Sequence, residues 1–219
     1  MPKHTAAIFD MDGTLLESMS FWQQLAPEFL KRSKLAVPEY LPEKLAAVNL
    51  HEAVDILIKV FELKTTHEKI YAEFITMLDD YYRNHAVLKN GVKSFLQKLH
   101  SHNISAMVFS STPEYLIKSA LQHCNIAEYF SHGILSADTV KLSKSHPESF
   151  LTAAERFNVP IQEIIVFEDA WYAASAAKQA GFTVIAVKDD SEAQSEAMHL
   201  LADFYIEKSY NELPIEKFF

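Results

Sequence analysis

Four short apolar runs, at 6–9, 104–109, 164–167 and 182–187, punctuate a chain that otherwise shows helical periodicity at 92–100, 114–124, 148–157 and 170–180. Runs of this length, rich in β-branched and aromatic residues, read as strands buried on both faces of a parallel sheet. Strand and helix in alternation predict an α/β fold. The alternation fails once. Between 16 and 85 no convincing strand occurs, and helical patterns at 21–32, 43–59 and 66–82 take its place, with Pro27, Pro38 and Pro42 as expected starts or breaks. A helical bundle inserted after the first strand accounts for this, giving a core of 1–15 and 86–219 and an insert of 16–85. Ligands of open α/β sheets bind beyond the carboxyl ends of the strands, so an insert leaving from that edge is expected to lie over the pocket.

Composition narrows the function classes. The 219 residues are 49% hydrophobic and 22% charged, values of a folded domain rather than a disordered chain. A net charge of −9 excludes the basic footprint of a nucleic-acid binder. The single cysteine, Cys124, cannot close an intramolecular disulfide, which points to a reducing compartment. The apolar run at 6–9 is too short for a signal peptide or a membrane span, so the expectation is a cytoplasmic protein with neither membrane nor nucleic acid as partner.

The first strand runs directly into Asp10-Met11-Asp12-Gly13-Thr14-Leu15. Alternation along extended backbone points the two carboxylates to the same side, and the glycine lets the chain turn away sharply. Two like charges so close call for a cation or a shared proton. A lone Asp-x-Asp is more often a pair of solvated loop acids; the full hexapeptide after an apolar strand reverses that preference. Three more positions follow in order. Ser110, with Ser111 beside it, closes the second run; Lys144 precedes a helix in Ser143-Lys144-Ser145-His146-Pro147-Glu148; and Glu168-Asp169 closes the third run.

Taken together, these four motifs resemble those of the haloacid dehalogenase superfamily, in its β-phosphoglucomutase-like and phosphatase branch, and the resemblance covers nearly the whole chain. It implies a Rossmann-like core with an α-helical type 1 cap. It also implies that Asp10 attacks phosphorus to form an aspartyl phosphate, and that Asp12 protonates the leaving alcohol and then activates water. Mg2+ would be held by the Asp10 carboxylate, the Asp12 backbone carbonyl and Asp169, with Glu168 direct or through water. Ser110, Ser111 and Lys144 would bind the phosphoryl oxygens. Asp12 and Asp169 together argue against dehalogenation. The expected function is therefore a magnesium-dependent phosphatase of a small phosphorylated metabolite, monomeric by default. A phosphosugar mutase is the alternative, and a non-catalytic phosphate-ligand sensor a third reading.

The chain departs from that branch in several places. Ser145 replaces the first proline of the usual Lys-Pro-x-Pro, while Ala170 and Ala173 stand where the branch often has serine and glycine. Lys141 is a rival to Lys144, but only Lys144 is followed by proline at the third position. Mutases of the branch carry a histidine and an arginine in the cap that grip a second phosphate. Counting from the first motif puts Trp22 and His51 near those positions, which favours hydrolysis and makes His51 and Trp22 candidates for substrate selection. The other histidines lack metal-ligand spacing, and nothing near Cys124 marks it as a nucleophile.

Overall fold

The computed structural model describes residues 4–45 and 48–219. The chain divides into two compact units, one made of Met1–Ser18 with Ala86–Phe219, the other of Met19–His85.

The smaller unit is helical: α1 (Met19–Arg32), α2 (Leu41–Leu45), α3 (Leu50–Phe61) and α4 (His67–Asn84). Their apolar faces meet around Leu30, Leu41, Val54, Leu57, Ile70 and Phe74, with Phe29 edge-on to Phe74 at 5.6 Å between ring centroids. Two expectations are corrected here. Pro27 neither starts nor breaks a helix: it lies within α1, buried like Ala26 and Phe29, so packing outweighs the one backbone hydrogen bond that a proline removes. The helix expected over 43–59 is two helices, of which α3 begins at Leu50. Positions 46 and 47 of that expectation lie outside the described residues. The start of α3 has a local cause: the Glu52 N–H donates to the Asn49 side chain and the Asn49 N–H to the Glu52 carboxylate, both at 3.0 Å. This capping box satisfies two otherwise orphaned donors.

The larger unit is built on six parallel strands, β1 (Ala6–Phe9), β2 (Ser105–Ser110), β3 (Ile134–Ser136), β4 (Ile164–Glu168), β5 (Thr183–Val187) and β6 (Phe204–Ile206), in the order β3-β2-β1-β4-β5-β6. It also carries α5 (Val92–Ser101), α6 (Glu114–His123), α7 (Ala137–Val140), α8 (Pro147–Ala154), α9 (Trp171–Gln179), α10 (Ser195–Leu201) and α11 (Ile215–Phe218). This is the Rossmann-like α/β architecture expected. The period-two alternation of β1 sorts its side chains onto two cores. Ile8 and its register partners Met107 and Val166 share one with Phe150, Ala173 and Ala177. Phe9 lies on the other face, stacked on Phe167 at 4.3 Å and edge-on to Phe95 at 6.4 Å. The two strands that no apolar run of the sequence marks, β6 and β3, are three residues each and form the sheet edges. Runs that short do not reveal a period.

Register places the chemistry. Phe9 pairs with both Val108 and Phe167, so β1, β2 and β4 reach the same edge nearly level. The sheet is extended first on the β2 side of β1 and then on the β4 side, which makes the carboxyl end of β1 a topological switch point, where such sheets leave a crevice. Among the described residues no helix is long and apolar enough to cross a membrane.

Candidate active site

Beyond the end of β1, the Asp10 N–H donates to the Phe167 carbonyl at 3.0 Å, which holds the residue against β4. Gly13 then takes φ 80°, a conformation that costs glycine little. The turn closes as the Leu15 and Leu16 N–H groups both donate to the Met11 carbonyl, at 2.9 and 3.0 Å.

β4 ends in Glu168 and Asp169, both buried. Glu168 Oε2 accepts from the Asp169 and Ala170 N–H groups at 3.0 and 3.1 Å, at the start of α9. Asp169 Oδ1 accepts from the Thr14 hydroxyl at 2.8 Å, so the turn after β1 fixes the last acid of β4. Tyr210 donates in turn to the Thr14 carbonyl at 3.1 Å. Lys144, only 3% exposed, donates to Asp10 Oδ1 at 2.7 Å and also pairs with Glu168 Oε1. Its ammonium lies 5.4 Å from the ring centroid of Phe109 and 5.8 Å from that of Phe150. Its rival Lys141 is exposed.

At the end of β2, Ser110 is buried and its hydroxyl oxygen accepts from the Thr112 N–H at 3.2 Å, whereas Ser111 is exposed. Asp12 is held by two hydroxyls: Ser18 donates to its Oδ1 and Thr112 to its Oδ2, both at 2.7 Å. The carboxylates that cluster are those of Asp10, Glu168 and Asp169, whose ligand oxygens lie within 4.8 Å of one another. The Asp12 carboxylate is not among them, so a metal role for Asp12 rests on its backbone carbonyl.

Burial among neighbouring acids shifts the proton affinities of Asp10 and Asp169. Burial pushes Asp10 up to about 7, with Lys144 opposing and Glu168 and Asp12 adding to the rise. Asp169 is raised by burial first and then by Glu168 and Asp10. Burial by itself would lower the Lys144 ammonium, but Asp10 and Glu168 outweigh it and hold the lysine above its ordinary range. Glu168 Oε1, although paired with the Lys144 ammonium, is a buried oxygen without a hydrogen bond. A buried all-oxygen donor set with excess negative charge suits a hard divalent cation, and the residues fit one.

Sequence reasoning passes over Ser18, Thr112 and Tyr210. Thr14 carries a signal, since it stands inside the first motif. Ser18 and Thr112 carry none, because hydroxyl residues in loops are common and Thr112 lies 100 positions from the acid it touches. The remaining candidates belong to the helical unit. There the Trp22 indole donates to the Tyr82 hydroxyl at 3.0 Å, and His51 stacks on Tyr71 at 4.2 Å with its Nδ1 3.3 Å from His67 Nε2.

Known proteins resemble this chain along most of its length. It is 27% identical over 200 residues to the phosphorylated carbohydrates phosphatase of Thermotoga maritima, an alignment covering 88% of this chain and 90% of that one. It is 31% identical over 193 residues to (DL)-glycerol-3-phosphatase 2 of Arabidopsis thaliana, covering 84% and 80%. The fold matches the crystal structure of a β-phosphoglucomutase from Clostridium difficile with a TM-score of 0.75 at 22% identity, covering 98% and 95%. The sequence profile described as haloacid dehalogenase-like hydrolase matches residues 7–187, and the chain belongs to that family.

Proposed function

We propose that this protein is a magnesium-dependent phosphatase that removes the phosphoryl group of a small phosphorylated metabolite by way of an aspartyl phosphate on Asp10. The observation that carries the reading is the buried assembly of Asp10, Glu168 and Asp169 around Lys144 at the carboxyl edge of β1 and β4. The phosphatase names of the relatives support the same class, and those names span phosphorylated carbohydrates and glycerol 3-phosphate.

Asp10, Glu168 and Asp169 would hold the metal, with the Asp12 carbonyl. When bound, Mg2+ supplies positive charge that lets an anionic carboxylate approach an anionic phosphoryl group. Asp10 then attacks phosphorus in line, and the bond from phosphorus to the ester oxygen breaks. Asp12, as an acid, delivers its proton to the departing oxygen and is left as a carboxylate. In the second half the Asp12 carboxylate takes a proton from water, whose oxygen attacks phosphorus. The bond from phosphorus to Asp10 breaks, freeing phosphate and restoring the Asp10 carboxylate. Ser110 hydrogen-bonds a phosphoryl oxygen, and Lys144 exchanges part of its contact with Asp10 for the incoming anion. Trp22 and His51 stand near the positions where mutases of the branch carry the histidine and arginine that grip a second phosphate, and this favours hydrolysis over mutase chemistry.

The test is release of phosphate from an aryl phosphate with and without Mg2+, for the parent and for Asp10→Asn. Release that needs the metal and disappears in the variant supports the reading. Release that survives in the variant removes Asp10 as nucleophile, and return of phosphate to a sugar without net release turns the assignment to a mutase.

A further inference from the structure

We propose that Thr112 is a positioning residue for Asp12, holding the carboxyl group in the one orientation from which it can protonate the leaving oxygen; this rests on the phosphatase reading above. The observation is the double hold on Asp12, with Ser18 on Oδ1 and Thr112 on Oδ2, each at 2.7 Å. Thr112 is 3% exposed and Ser18 fully buried, so both hydroxyls are set by packing rather than by solvent.

A carboxylate on a half-buried loop residue has two soft torsions, and one hydrogen bond leaves it free to swing about that contact. Two donors, one on each oxygen, fix the plane. A hydroxyl can donate or accept, so the hold adapts when Asp12 is protonated: the oxygen that keeps no proton still receives a donor while the other delivers its proton. Thr112 is also tied to the phosphoryl-binding strand end, because its own N–H donates to the Ser110 hydroxyl oxygen at 3.2 Å. One residue therefore links the group that grips phosphate to the group that must face the ester oxygen. An offset of about 1 Å between such groups can cost about a hundredfold in rate.

In the step affected, the bond from phosphorus to the leaving oxygen breaks, its electron pair stays on that oxygen, and the Asp12 proton is transferred there. An alkoxide leaving group needs this proton, whereas a dinitrophenolate departs without it. The experiment compares kcat/KM, which reports steps through departure of the leaving group, for an alkyl phosphate and for 2,4-dinitrophenyl phosphate. Thr112→Val should shift the ratio of the two against the alkyl ester by about tenfold to a hundredfold. Thr112→Ser should restore it, and Asp12→Asn should shift it further in the same direction. If Thr112→Val lowers both substrates equally while Asp12→Asn shifts the ratio, Thr112 is merely structural and the proposal is overturned, with the role of Asp12 intact. If Asp12→Asn leaves the ratio unchanged, the proposal and the acid role both fall. A parent enzyme inactive on both esters overturns the phosphatase reading itself, and the positioning role with it.

Discussion

The Lys144 ammonium donates to Asp10 Oδ1 at 2.7 Å while pairing with Glu168 Oε1, so one buried cation holds the ends of two neighbouring strands. Removing it leaves two buried carboxylates without their partner. Breaking a buried pair from one side costs about 3–5 kcal/mol. Lys144→Met should therefore unfold at clearly lower urea concentration than the parent in metal-free buffer, besides losing phosphatase activity. An unchanged midpoint would show that the pair contributes little to the fold.

The pH dependence of stability follows from Asp10. Burial raises its carboxyl to about 7 in the folded state from an ordinary 3.8, so the folded protein binds this proton more tightly than the unfolded chain does. The associated stabilisation is fully present below the unfolded value and is lost as pH rises through about 7. Metal-free protein should accordingly lose thermal stability between about pH 4 and pH 7 through this group, a loss that Asp10→Asn diminishes. Added Mg2+ should recover stability at the alkaline end, measured as a rise in Tm.

Thr14 touches no substrate in the proposed mechanism, yet it orients a metal ligand through its 2.8 Å hydrogen bond to Asp169 Oδ1. Partners of metal ligands typically carry about tenfold to a hundredfold in metal affinity. Thr14→Val should raise the Mg2+ concentration for half-maximal activity by about tenfold. At saturating metal its kcat should fall far less.

Gly91 has φ +83°, and a Cβ there would come within 2.7 Å of Ser209 Oγ and 3.1 Å of the Tyr210 backbone nitrogen. Gly91→Ala combines left-handed strain with a push on the turn that carries Tyr210, the residue that hydrogen-bonds the Thr14 carbonyl. Strain of this kind costs about 1–3 kcal/mol. Denaturant unfolding should register that loss, and a variant as stable as the parent would mean that the turn yields freely.

How much of this is legible in the sequence differs from residue to residue. β1 and β4 stand out because strands buried on both faces are apolar throughout and end abruptly in acids, so Asp10, Glu168 and Asp169 are marked by the contrast alone. Lys144 stands out by its spacing to Pro147, and its burial separates it from the exposed Lys141. The hydroxyls that hold Asp12 leave no local trace, because the contact between Asp12 and Thr112 is made by strand register across 100 positions. Pro27 misleads for the opposite reason: its local preference is strong, but its buried surroundings within α1 override it. Asn49 and Glu52 show a readable signal that marks where α3 begins inside a stretch of continuous helical pattern.

The chain leaves the sheet-bearing unit and returns to it side by side: Leu16 bridges Leu88 in antiparallel fashion, the Glu17 N–H donates to the Val87 carbonyl at 2.9 Å, and the Lys89 N–H donates to the Leu15 carbonyl at 2.9 Å. Stitched in this way, departure and return are already adjacent whatever lies between them. Evolution can therefore lengthen, shorten or exchange the intervening helices as a cassette without re-threading the scaffold that performs the reaction. A lineage built on this join can vary the inserted module while the sheet-bearing scaffold is inherited unaltered.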